Sequence, residues 1–348
     1  MHPDEWRALL VERGMRAFRA DQILQALYRD WIQSWDEATT LPKDLRADLA
    51  REFPLVVPKV LASERADDGT TKLLLGLADG NSVETVVIPA GTAKSSDGRP
   101  GRLTQCISSQ VGCAMGCAFC ASTIGGFKRR LTAGEMLSEV YLAQKETGER
   151  ISHIVLMGMG EPLDNFDNVM RFLLLVTDEN GLNISMRNVS LSTCGLVPEI
   201  RKLMEKHLQL TLSISLHAPN NEIRNKIMPV NSRYPVEELL GVCREYTLKT
   251  SRRISFEYSM LSGVNDSDEC ARELASKLKG MLCHVNLIPV NEVDGSPFRP
   301  SSPERVKKFT EILEKNGINA TVRRKLGSDI DASCGQLRLK EKKKGELI

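Results

Sequence analysis

Aromatic residues are scarce in this chain of 348 residues, at 5% of the total, so its core must be built mainly from aliphatic side chains. No apolar run approaches the length of a membrane span, which argues against a membrane protein. Met1 to Val11 mixes His, Asp, Glu and Arg with few apolar residues and is not a secretory leader. Excess charge is also lacking: 47 Lys and Arg stand against 45 Asp and Glu, a net of +2, and bulk charge gives no argument for a nucleic-acid partner. There is no low-complexity tract. Against these absences stand nine cysteines. Without a leader they imply a reducing compartment and a metal or redox role, so a cytoplasmic location is expected.

The length suits one large domain and a smaller one. From Asp4 to about Phe53, Ile23, Leu24, Leu27, Tyr28 and Ile32 recur at helical spacing, with Pro42 and Pro54 as punctuation. Residues 1–55 are therefore expected as a small helical domain, with Trp31 and Trp35 in or near its core. Between Lys59 and Pro89 short β-prone runs are separated by Asp68-Gly69 and Asp79-Gly80, both turn signals. Residues 56–100 are expected as a β-hairpin connector and linker. Glu84 sits in an otherwise apolar run, where an outward-facing edge position would account for it.

From Leu103 the pattern alternates. Strands are expected at 103–108, 153–157, 188–192, 210–216, 254–260, 284–289 and 320–323, with helices at 133–145, 168–176, 236–248, 268–278 and 303–315. Repeated β–α alternation implies a parallel sheet with crossover helices. About six units predict an α/β fold of partial (β/α)6 barrel type over residues 101–340, followed by a basic tail, 341–348. Such barrels carry their chemistry at the C-terminal strand ends. Cys113, Gly158–Glu161, Ser192–Gly195, His217 and Asn291 all fall there.

Cys113, Cys117 and Cys120 lie within eight residues, in Val-Gly-Cys-Ala-Met-Gly-Cys-Ala-Phe-Cys. Thiolates this close can ligate one soft metal centre. No fourth cysteine lies at matching distance, whereas structural zinc is normally closed by four protein ligands. Two readings follow: a cubane cluster with one iron open to a small molecule, or a zinc knuckle borrowing His153 or a distant cysteine. Met157-Gly-Met-Gly-Glu-Pro162 is a glycine-rich turn with one carboxylate, able to approach a ligand closely and accept hydrogen bonds from an ammonium group. It could equally be a tight turn with a helix-capping acid. Basic clusters at Lys128–Arg130, Arg252–Arg253, Arg323–Lys325 and Lys342–Lys344 are usually solvated faces, although they are compatible with a phosphate backbone.

The three-cysteine spacing, with Phe119 before the last thiol, resembles the signature of the radical S-adenosylmethionine (SAM) enzymes. That resemblance implies one 4Fe–4S cluster on Cys113, Cys117 and Cys120, with SAM chelated at the open iron. The Cys106–Cys113 run, Met157–Pro162, Ser215-Leu-His217, Pro229-Val-Asn231, Gly263–Asp266 and Asp329–Gln336 together resemble the RlmN/Cfr family over nearly the whole chain, including its helical start. The match is closer to RlmN, which methylates adenine carbon 2 in 23S ribosomal RNA and often in transfer RNA, than to Cfr, which methylates carbon 8.

By that resemblance SAM is bound by Gly160, Glu161, Ser192, Ser215, Leu216, His217 and Asn291. Cys334 takes a methyl group from one SAM. A second SAM, cleaved reductively, gives a 5′-deoxyadenosyl radical that removes hydrogen from that methyl. The S–CH₂ radical adds to adenine, Glu84 accepts the carbon-2 proton, and Cys106 resolves the adduct as a transient disulfide with Cys334. The implied partners are 23S RNA, transfer RNA and an electron donor such as flavodoxin or ferredoxin, with the helical domain RNA-binding-like. For Cys194, Cys243, Cys270 and Cys283 burial as small hydrophobes is sufficient. Outside enzymes, a zinc-stabilised RNA-binding module is the competing class.

Overall fold

The computed structural model describes residues 1–16, 18–90, 101–290, 297–324, 326–327 and 330. The chain opens with helices α1 (Pro3–Glu12), α2 (Phe18–Leu24) and α3 (Lys43–Glu52). α1 starts where it does because the His2 ring accepts from the Asp4 amide, Glu5 reaches back to the His2 amide, and Pro3 occupies the first turn. Trp6 is the centre of this unit. Its ring meets Trp35 at 6.0 Å and Phe53 at 5.2 Å, both edge-on. Trp35 Nε1 donates to the Phe53 carbonyl at 2.7 Å, which closes the helical unit on its own end.

Strands β1 (Lys59–Arg65), β2 (Thr71–Gly76) and β3 (Ser82–Pro89) form an antiparallel meander. β3 then pairs antiparallel with β4 (Leu103–Cys106), so the connector strands continue the sheet of the large domain. The short pair β5 (Gln110–Val111) and β6 (Arg129–Arg130) stands apart. β7 (His153–Leu156), β8 (Val189–Thr193), β9 (Thr211–Ser215), β10 (Ile254–Met260), β11 (Cys283–Pro289) and β12 (Ala320–Val322) follow β4 in parallel register, and the whole is one ten-stranded sheet.

Helices α4 (Ala133–Thr147), α5 (Phe166–Thr177), α6 (Val197–Met204), α7 (Asn221–Ile227), α8 (Val236–Thr250), α9 (Asp268–Leu278) and α10 (Pro303–Lys315) provide the crossovers and flank the sheet. The fold is the α/β partial barrel that the alternation implies. α6 and α7 have no counterpart in the sequence reading, because about two turns are too few for a 3.6-residue period to stand out.

Alternation along the parallel strands separates two environments. Ile154, Leu156, Leu191, Leu212, Ile214, Phe256, Tyr258, Val285 and Leu287 join the hydrophobic core. The alternate positions include Ser190, Ser192, Ser213, Ser215, Ser255, Glu257 and Asn286, so the other face of the sheet is mostly polar, with Val155 and Ile288 among them. Glu84 belongs to this arrangement. It lies on an interior strand and is 3% exposed, which corrects the expectation of an outward-facing edge residue.

Candidate active site

The loops after β4 and β7 are zipped together and carry the three cysteines, Gly160 and Glu161. The Gly158 amide donates to the Ile107 carbonyl at 3.0 Å, and the Ser109 and Gln110 amides donate to the Met159 carbonyl at 2.8 and 3.1 Å. A Cβ on Gly158 would lie 2.5 Å from the Ile107 oxygen, so only glycine permits this approach. The Ser108 hydroxyl donates to the Glu84 carbonyl at 2.7 Å and accepts from the Met159 amide at 3.0 Å, clamping β3 to the β7 loop.

β5 and β6 close the base of the loop that bears the three cysteines. Gly112, at φ +75°, passes so close to Gly126 that a Cβ would lie 1.8 Å from its carbonyl oxygen. The Ala118 amide donates to the Ile227 carbonyl at 2.9 Å, tying the loop to α7. Arg129 pairs with Asp79 at 2.5 Å and with Glu135 at 2.8 Å, and Arg130 pairs with Asp164 at 3.0 Å. These two cations brace the loop, so the candidate phosphate-gripping cluster Lys128–Arg130 is largely committed to internal pairs.

Cys113, Cys117 and Cys120 line one cavity together with Gly160, Glu161, Ser192, Ser215, His217 and Glu257. Burial pushes the Cys113 thiol up to about 12, and Cys117 is raised for the same reason. Thiolates here therefore need a bound cation as counter-charge, and loading with iron would release protons. Among the described residues no three His, Cys, Asp or Glu side chains converge as ligands of a single ion. Three soft donors ringing a shared cavity suit a multi-iron cluster better than tetrahedral zinc. His153 opens β7, at the opposite end of the strand from the cysteines, which removes it as the fourth ligand of a zinc knuckle, whereas Cys194 lines the same cavity.

Glu161 is 3% exposed. Its Oε1 accepts from the Leu163 amide at 3.0 Å and its Oε2 from the Cys194 amide at 2.7 Å. Burial raises its protonation range while these hydrogen bonds oppose the rise. Gln110 sets its backbone, the Glu161 amide donating to Gln110 Oε1 at 2.9 Å. Gly160, at φ +101°, packs on Gln110, and a Cβ there would lie 2.5 Å from Gln110 Cβ.

His217 is 5% exposed, has φ +57°, and stands edge-on to Phe119 at 4.9 Å. Burial holds its imidazole down at about 3, so the ring is neutral at ordinary pH. Its unusual backbone is fixed by Asn265, whose Nδ2 donates to the His217 and Ser259 carbonyls, both at 2.7 Å. That assigns a purpose to the Gly263–Asp266 segment. Ser192 and Ser215 hydroxyls lie 3.3 Å apart on adjacent strands. Leu216 points into the core, and its amide and carbonyl are taken by the Glu257 carbonyl and by Arg224.

Arg224 was not foreseen. It is fully buried, and its guanidinium donates to the carbonyls of Leu216, Cys194 and Ser215 and to Asn231 Oδ1. It pins the β8 and β9 ends together and accounts for Pro229-Val-Asn231. Glu257, also unforeseen, is held in the cavity wall by the Ser255 hydroxyl at 2.8 Å and the Asn286 amide at 2.7 Å. Cys106 ends β4, with Val86 of β3 as its cross-strand partner. Asn291 and Cys334 lie outside the described residues.

A partial barrel whose strand ends gather three cysteines, a Gly-Glu-Pro turn and a neutral histidine defines a radical SAM enzyme. Comparison agrees: residues 107–275 match the radical SAM superfamily, and residues 1–54 match the ribosomal RNA large subunit methyltransferase N-terminal domain. A Clostridium tetani protein named "Probable dual-specificity RNA methyltransferase RlmN" is 51% identical over 96% of this chain and 93% of its own length. One of the same name from Desulforamulus reducens is 49% identical over 97% and 94%. The crystal structure of a radical SAM methyltransferase from Sphaerobacter thermophilus superposes with a TM-score of 0.89, at 44% identity over 97% of both chains. The chain belongs to the RlmN family of RNA methyltransferases.

Proposed function

We propose that this RlmN family member methylates carbon 2 of an adenosine in the peptidyl transferase centre of 23S ribosomal RNA and of adenosine 37 in transfer RNA, using two SAM molecules per turnover and an electron donor of the flavodoxin or ferredoxin kind. The observation that carries the reading is the register of β3 and β4. Directly opposed residues of paired strands share a face, so Val86 opposite Cys106 puts Glu84, two residues away, on the face that carries Cys106.

Cys113, Cys117 and Cys120 hold the cluster, which when bound supplies the electron that converts SAM to a 5′-deoxyadenosyl radical. Glu161 takes the SAM ammonium group, and Ser192, Ser215 and His217, with Gly160 and Asn291, bind the rest of the molecule, while Leu216 anchors the strand end between Ser215 and His217 in the core. Cys334 thiolate displaces the methyl of one SAM, leaving S-adenosylhomocysteine. After hydrogen abstraction from that methyl and addition to carbon 2, the adduct returns one electron to the oxidised electron carrier, and its carbon-2 proton passes to Glu84. Cys106 thiolate attacks the Cys334 sulfur. The S–S bond forms, the S–CH₂ bond breaks with its electron pair on carbon, and a solvent proton completes the methyl.

The test uses anaerobically reconstituted protein, a reductant, 23S transcript and SAM bearing a CD₃ group. A methyl with two deuteriums at carbon 2 is expected. Three deuteriums would exclude the methylene route, and a carbon-8 product would assign the chain a Cfr-type reaction.

A further inference from the structure

Lys72 and Glu84 form an ion pair, Nζ to Oε2 3.0 Å, with side chains 0% and 2% exposed. Stability alone does not explain such a pair, because an apolar pair of similar volume generally stabilises a core as well or better. Register gives it a direction. Lys72 opposes Val86 and Leu74 opposes Glu84 across β2 and β3, and Val86 opposes Cys106 across β3 and β4. Lys72, Glu84 and Cys106 therefore share one face of three successive strands, while Leu73, Leu75, Val83 and Val87 join the hydrophobic core on the other. Glu64 of β1, opposite Lys72, belongs to the same face. The carboxyl of Glu139 on α4 accepts from the Ser108 amide, and Gln105 donates to its carbonyl, behind the sheet.

We propose that Lys72 is a positioning residue for the proton-removal step: it pairs with the Glu84 carboxylate and holds it on the face that carries Cys106. This rests on the reading of Glu84 as proton acceptor. In that step the carbon-2 C–H bond breaks, its electron pair restores the aromatic ring, and the proton forms an O–H bond on Glu84. A buried carboxylate deprived of this counter-charge favours its protonated form, in which it cannot accept the proton.

The experiment follows single turnovers of full-length, cluster-loaded protein on RNA carrying protium or deuterium at adenine carbon 2. It compares wild type, Lys72→Met, Lys72→Arg, Glu84→Gln and the Lys72→Met/Glu84→Gln double variant across pH, quantifying released methyladenosine and protein–RNA adduct. Lys72→Met should slow release roughly tenfold or more at neutral pH, accumulate adduct, enlarge the deuterium effect, and recover partly as pH rises. Lys72→Arg should restore most of the rate. Should Lys72→Met fold poorly, the double variant, which removes both charges of the pair, still reads the coupling: its loss should equal that of Glu84→Gln alone. A slow Glu84→Gln beside a Lys72→Met enzyme with wild-type release and pH profile would overturn the role of Lys72 alone, as would additive losses in the double variant. Wild-type release by Glu84→Gln would overturn the proton-acceptor reading and this inference with it.

Discussion

His217 Nδ1 accepts a 2.9 Å hydrogen bond from the Ser259 amide, which places the ring proton on Nε2 and makes that edge a donor. Because the folded ring titrates at about 3 and an unfolded histidine near 6.5, the unfolded chain binds more protons between those values. Stability is therefore expected to fall as pH drops through that window, by roughly 1.4 kcal/mol per unit from this group. Thermal melts of wild type and His217→Gln from pH 7 to 4 check this: the variant should lose less stability on acidification. SAM affinity in the wild type should show no histidine titration between pH 6 and 8.

Glu161 accepts from two backbone amides through separate oxygens, a task one amide side chain cannot repeat. Glu161→Gln leaves one N–H facing a donor or unpaired, at a cost of about 1–3 kcal/mol. The same change removes the charge that would meet the SAM ammonium, so SAM affinity should drop by roughly 10- to 100-fold. Denaturant titration and equilibrium dialysis measure the two effects separately; wild-type SAM affinity would contradict the assignment.

Gly112→Ala should damage cluster loading more than the barrel. A Cβ 1.8 Å from the Gly126 oxygen forces apart the base of the cysteine loop, and the residue must also hold φ +75°. Iron and sulfide content after reconstitution is expected to fall several-fold, with far-ultraviolet circular dichroism unchanged. Full cluster content would show that the loop can open without cost.

Glu139 is 1% exposed, and burial raises its carboxyl well above the usual range. The folded state then holds a proton that the unfolded state has lost, so this group's contribution declines as pH rises above the ordinary carboxylate range. Glu139→Gln, isosteric with the neutral acid, should flatten the loss of melting temperature as pH rises above the ordinary carboxylate range. A steeper slope in the variant would exclude a protonated Glu139.

Much of the scaffold was legible because it depends on local pattern. The bounds 254–260, 268–278 and 303–315 read from alternation and helical period coincide with β10, α9 and α10. The cysteines announced themselves by spacing. Arg224 did not, because it sits in Asn-Glu-Ile-Arg-Asn-Lys, which reads as a solvated helix face; its burial is set by carbonyls at the ends of two other strands. Lys72 was invisible for a related reason. Only the register of the β2–β3 hairpin brings it to Glu84, and a one-residue slip would have turned it to the opposite face. Asn265 and Gln110 likewise act on backbone groups remote in sequence.

The sheet runs from β1 at one margin to β12 at the other, and these two strands do not pair with each other. Between the margins, Asp68 Oδ2 accepts from the Gly327 amide at 2.8 Å, a polar stitch in place of a ladder. A margin without a ladder lacks the register that fixes the interior strands. The two edges can therefore shift against each other while the strand ends that carry the cysteines and Glu161 keep their places.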